Sequence, residues 1–188
     1  MRASAHRRRQ RDRAHAVTAI ATRCSGANSC IVCDRVDDKL RNAMDMTERD
    51  PSLEPFDALI GTWDTEATHP TVDAVVPGTT TFEWLEGRRF VVQRSHNDHA
   101  LFPDAISVIG APESGEGLVM EYFDSRGVRR TFGVSLADGL LRMWRDDPAF
   151  AQRFSATLAP DGFKGLWQLA RTPGDWSDDV QVRYRRRA

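Results

Sequence analysis

A chain of 188 residues with 40% hydrophobic and 28% charged side chains has the composition of an ordinary soluble globular protein. No apolar run approaches the ~20 residues that a membrane-spanning helix requires, which excludes an integral helical membrane protein. The formal net charge of −1 hides a division: residues 1–45 carry ten Lys/Arg against five Asp/Glu, or +5, and residues 46–188 carry sixteen against twenty-two, or −6.

The chain opens on "MRASAHRRRQRDRAH" and continues through an Ala/Thr/Ser/Cys stretch with few large apolar residues. Such a segment cannot bury enough surface to offset its ordering entropy, so residues 1–45 are expected to be a disordered basic tail. An Arg-rich start resembles a twin-arginine export signal or a nucleic-acid arm. The apolar run "AVTAIA" is, however, shorter than the ~7–15 residues of a signal core. Cys24, Cys30 and Cys33 include one C-x-x-C, but no second ligand pair follows at zinc-finger spacing, and no metal is expected there. Met44 and Met46 stand just before the globular pattern begins, and the favoured reading takes the upstream residues as translated leader. Residues 46–188, the expected barrel domain, contain no cysteine and so no disulfide or thiolate nucleophile; a reducing, cytoplasmic setting is expected. Their net negative charge leaves no basic face to track phosphates, so any nucleic-acid binding falls to the tail.

The first predicted element is a helical turn or two around "SLEPFDALI" (52–60). Ten β-branched and aromatic segments follow: 62–69, 78–86, 89–97, 104–112, 116–124, 128–136, 139–146, 151–159, 163–171 and 179–186. Turn chemistry separates them, as in Glu86-Gly87, "DSRG" at 124–127, Asp138-Gly139, "PDG" at 160–162 and "PGD" at 173–175. Leu118, Met120 and Tyr122 share one parity. So do Phe132, Val134 and Leu136, then Phe154, Ala156 and Leu158, and finally Val180, Val182 and Tyr184; each strand has one apolar face. About ten antiparallel strands in a meander with one apolar face are expected to close into a barrel, because closure removes the edges. A barrel of that girth is expected to keep an internal cavity.

A short N-terminal turn leading into Gly61-Thr62-Trp63 resembles the calycin superfamily, the lipocalins and fatty-acid-binding proteins. Within it the likeness is closest to nitrobindin-like and uncharacterised bacterial lipocalin-like families, which share a "GTW" start and a "FEWLEG"-type second strand. The resemblance implies a ligand-binding barrel in which Trp63 plugs the closed end and an arginine of the last strand, Arg183 or Arg185, packs across it. Nitrobindin-type haem proteins place their proximal histidine late in the barrel, whereas the last histidine here is His99.

Parity from Trp63 aims Thr65, Ala67 and His69 inward, with His69 about 20 Å from the plug at ~3.3 Å per residue, near the open mouth. "RSHNDHALFPD" adds Arg94, His96, His99 and Asp104. Joining His69, His96 and His99 would give a metal or haem contact; the plainer reading is a polar rim, and no metal ligands are assigned. Arginines 94, 126, 129, 145 and 153 are candidates for an internal carboxylate-binding pair, since a guanidinium suits an anionic head. The expected ligand-binding set is His69, Arg94, His96, His99, Tyr122, Arg126, Trp144 and Arg153. No G-x-S-x-G, H-E-x-x-H, Walker or G-x-G-x-x-G motif is present. The sequence thus points to binding of a small, largely apolar ligand, with or without an anionic group, in the barrel cavity. The alternatives are a small-molecule enzyme using a His/Asp pair at the mouth, or a haem- or metal-binding barrel. No catalytic residue and no cofactor is assigned, haem and homodimerisation both being left open.

Overall fold

The computed structural model describes residues 50–188. The basic stretch 1–45, with Cys24, Cys30, Cys33 and the Met44/Met46 starts, lies outside the described residues. Chain order begins with a 3-10 helix, Pro51–Ala58, followed by β1 Gly61–His69, β2 Val72–Trp84, β3 Val91–Asn97, β4 Ala105–Gly110 and β5 Leu118–Asp124. It continues through β6 Arg129–Ala137, β7 Leu140–Arg145, β8 Ala151–Thr157, β9 Gly162–Ala170 and β10 Trp176–Arg186. Each strand pairs antiparallel with its chain neighbours, and β1 closes the ring on β10. The architecture is therefore an all-β, ten-stranded closed barrel with a short N-terminal helix, as the alternation of apolar residues requires. No helix among the described residues is long and apolar enough to cross a membrane.

The helix starts where Asp50 caps it, its carboxylate accepting from Ser52 N at 3.0 Å and Ser52 Oγ at 2.7 Å. It then drives Leu53, Phe56 and Leu59, all fully buried, under the lower end of the barrel. Trp63 stands directly above, 1% exposed, its Nε1–H donating to Leu59 O at 2.7 Å. Phe163 meets the indole edge-on at 5.1 Å and stacks on Tyr184 at 4.4 Å. This end is closed by helix, indole and aromatic pair together.

The expected arginine partner requires correction. Arg183 points outward toward Glu66, as Arg185 does toward Asp64, because both have the parity opposite to the buried Tyr184. Arg186, two residues beyond Tyr184, pairs with Trp63 in the β1–β10 register. Its guanidinium carbon lies 4.1 Å from the indole centre. The same guanidinium donates to Ala58 O, Ile60 O and Pro160 O at 2.6, 2.9 and 3.0 Å.

The largest departures from the predicted bounds are the early starts of β2 and β10. β2 begins at Val72 rather than 78, running through Pro77-Gly78, which reads as a turn in sequence. Pro77 brings no N–H to the ladder, but its carbonyl accepts Asp98 N at 2.9 Å, and its fixed φ suits extended backbone. β10 begins at Trp176 and carries a bulge between Asp178 and Gln181; β1 carries another between Ala67 and His69.

Candidate functional site in the upper lumen

The lower lumen is filled by Phe82, Val91, Ile109, Met120, Leu141 and Met143, each at most 5% exposed. Toward the upper end the inward-facing residues change character. Tyr122, Trp167 and Val182 have inward parity yet stay only half-buried, so solvent reaches this part of the lumen. Gln93 on β3, Ser107 on β4, Tyr122 on β5 and Arg130 on β6 are successive cross-strand partners. Arg130 Nη1 then donates to Gln152 Oε1 on β8 at 2.8 Å, which extends the polar row across the wall.

Arg130 is the central cation of this row. It inherits its inward direction from Phe132 and Val134 on the same strand, and it is half-buried. Burial first, and the nearby Arg145 cation second, hold its guanidinium below the ordinary range. Among the described residues its only hydrogen-bond acceptor is Gln152, and no carboxylate lies within ion-pair distance. A guanidinium has five N–H donors, so most of them have no protein acceptor among the described residues. Phe150, from the β7–β8 loop, roofs the site with its ring 4.9 Å from Arg130 and 5.2 Å from Arg171. Arg145 holds that loop, donating to Phe150 O at 2.7 Å and to the Asp147 carboxylate.

Tyr122 donates to Asp124 Oδ2 at 3.0 Å. Burial first, then the Asp124 charge, push the phenol up to about 12. The Asp124 side chain is fully buried, and burial alone would raise its pKa. Hydrogen bonds from Arg126, Val128 N, Arg126 N and Tyr122 outweigh that and bring it to about 2.

Of the eight residues expected to line the ligand, only Tyr122 faces this lumen. Arg94 lies outside, ion-paired to Glu83 at 3.1 Å. Arg126 is spent on Asp124 within the β5–β6 turn. Trp144 lies on the outer wall, flat over Gly133, where an added Cβ would come within 2.4 Å of the indole. Arg153 is also outside, stacked 4.1 Å over Trp176 and bonded to Gln168. An outer depression of about 410 Å³ between Thr131, Gly133, Trp144 and Asp146 faces away from the lumen.

The histidines sit on the rim. The β1 bulge turns His69 to Asp179, with Nε2 to Oδ1 at 3.0 Å, while its Nδ1 accepts from Thr71 N at 3.1 Å. That pattern puts the proton on Nε2 and leaves no free lone pair. His69 borders a shallow hollow of about 310 Å³ together with the outward-facing Thr68, Leu166 and Gln181. His99 Nδ1 accepts from Leu101 N at 3.2 Å, and Phe102 has both the His99 and His69 rings as neighbours, at 5.8 and 6.4 Å. Among the described residues no group of three or more His, Cys, Asp or Glu is placed to hold a metal. The residues present do not fit haem ligation from the late strands, because β5 to β10 contain no histidine.

The closed ten-stranded antiparallel barrel, its helix-sealed base and its Gly-x-Trp entry define a calycin-like fold. Rv2717c from M. tuberculosis has the same fold at 12% identity, with a TM-score of 0.55 over 75% of this chain and 100% of that one. Echinococcus granulosus fatty-acid-binding protein 1 is similar at 16% identity, with a TM-score of 0.50 over 70% and 99%. No family model and no curated protein sequence matches the chain.

Proposed function

We propose that the barrel takes up a small, largely apolar ligand whose anionic group meets Arg130 from inside the lumen. The observation that carries this reading is a half-buried guanidinium of inward parity, with one hydrogen-bond acceptor and no carboxylate within ion-pair distance among the described residues. A carboxylate there would form charge-assisted hydrogen bonds of about 1.5–3 kcal/mol each. The fold likeness to a protein named as fatty-acid-binding supports the same reading. A cysteine-free barrel supports a reducing, cytoplasmic setting.

Calorimetric titration with decanoate tests it. Arg130→Gln should weaken binding by about tenfold or more, from the lost charge-assisted bonds. Arg94→Gln, on the outer wall, should leave it unchanged. Equal affinities for wild type and Arg130→Gln would reject the assignment.

A second reading rests on His96. Its Nδ1 meets Asp104 Oδ1 and Oδ2 at 2.9 and 3.0 Å, and Asn97 N fixes that carboxylate at 3.0 Å. The Asn97 bond first, and His96 second, lower the Asp104 pKa. Nε2 is thereby left exposed on the outer side of the rim, free to meet a substrate from solvent. Hydrolysis of p-nitrophenyl acetate that disappears in His96→Ala would support it; an unchanged rate would remove it.

A further inference from the structure

We infer that the ligand of this lumen is a planar one- or two-ring aromatic anion with hydrogen-bonding groups along one edge, rather than a saturated acyl chain. The inference rests on the reading of the barrel as a binder of small anions and deepens it.

The two walls of the upper lumen differ in chemistry. On β8, β9 and β6 the wall is aromatic: the Trp167 ring lies 5.1 Å from Phe154 and 5.5 Å from Phe132. Phe132 and Phe154 are buried, but Trp167 is only half-buried and presents its surface to the chamber. Its Nε1–H has no acceptor among the described residues, unlike that of Trp63.

Across from it, β1 to β5 line the lumen with hydroxyls and amides. Thr65 and Ser107 are 5% and 3% exposed and share inward parity with Trp63 and Ile109. Neither side-chain hydroxyl has a protein hydrogen-bond partner among the described residues. Thr80 and Ser95, by contrast, satisfy one another at 3.0 Å, and Gln93 Nε2 reaches Ser95 Oγ at 3.3 Å.

Buried polar groups without partners are uncommon because each forfeits the hydrogen bonds it made in water. A saturated chain in this lumen would leave the Ser107 hydroxyl and the indole N–H unmet. A flat ring with an edge heteroatom would bond Ser107 and stack against Trp167. Arg130, at the end of the same row, then takes the anionic substituent.

Quinoline-2-carboxylate and decanoate have the same carbon count and charge and differ in planarity and edge polarity. Calorimetry on the full chain should show the quinoline acid binding about tenfold or more tightly, the scale of one recovered buried hydrogen bond. Ser107→Ala and, separately, Trp167→Leu should each narrow that ratio. The wild-type comparison needs no variant to fold. Decanoate binding as tightly as quinoline-2-carboxylate, with Arg130→Gln still weakening both, would overturn this inference and leave the anion reading standing. Binding of neither acid would overturn both.

Discussion

Arg186 lies flat over Trp63, its guanidinium carbon 4.1 Å from the indole centre, and holds three backbone carbonyls at the base of the barrel. Removing the indole by Trp63→Ala should destabilise the fold by about 3–5 kcal/mol, as loss of a buried aromatic does. Arg186→Leu removes the cation from the indole face and the donor from the part-buried Ile60 carbonyl, and should cost about 1–2 kcal/mol. Arg183→Ala, on the outer face, should stay within about 0.5 kcal/mol of wild type. Urea melts of the three variants check this, and an Arg183 effect as large as that of Arg186 would contradict it.

The fold was legible because its cause is local and periodic. Ten alternating segments with tight turns leave closure as the way to cover every edge, and Gly61-Thr62-Trp63 marks the end that closes. The site was legible only in part. Val182 and Tyr184 already define an inward face that continues to Arg186, whereas the resemblance asks only for an arginine of the last strand and suits Arg183 or Arg185 as well. Arg130 is hidden in the same way: it shares parity with Phe132, Val134 and Leu136, yet an arginine beside another arginine reads as a solvated pair. Gln152 and Trp167 follow likewise from Phe154 and Phe163. His69 lay beyond the reach of parity, because the bulge after Ala67 re-aims it and nothing in "TEATHP" announces a bulge. Pro77-Gly78 reads as a turn because nothing local tells of the Asp98 N–H that the Pro77 carbonyl accepts.

Alkaline titration offers a clean readout, since the chain has two tyrosines and both are raised to about 12, Tyr184 by burial and Tyr122 by burial and then Asp124. An unfolded tyrosine ionises near ~10. A folded pKa above the unfolded one means this stability is complete below about pH 10 and is lost as pH rises toward about 12. Absorbance at 295 nm should show almost no tyrosinate in the native protein at pH 10.5 and substantial tyrosinate in urea. Equal signals would place both phenols in contact with water.

Asp124 gives the acid counterpart. Its folded pKa of about 2 lies below the unfolded value of ~3.9, so its contribution is present above about pH 4 and is lost as pH falls through about 2. Asp124→Asn should therefore lower the melting midpoint at pH 7, and the gap to wild type should shrink as pH approaches 2. A gap that does not change with pH would remove the carboxylate from this role.

His69 joins the first hairpin to β10 through Thr71 and Asp179. His69→Ala should cost about 0.5–1.5 kcal/mol, the net worth of such a bond, and leave decanoate affinity within about threefold. A large loss of affinity with unchanged stability would move the ligand to the rim.

The central claim is that the ligand enters the upper lumen and not the outer wall, and the five tryptophans report on it directly. A ¹H–¹⁵N spectrum of the indole region, recorded while decanoate is added, separates Trp167 inside the barrel from Trp144 and Trp176 outside. The Trp167 indole and the Gln152 side-chain amide should shift together and saturably, while Trp144 stays in place. Movement of Trp144 with Trp167 unchanged would put the ligand in the outer depression beside Gly133 and contradict the account.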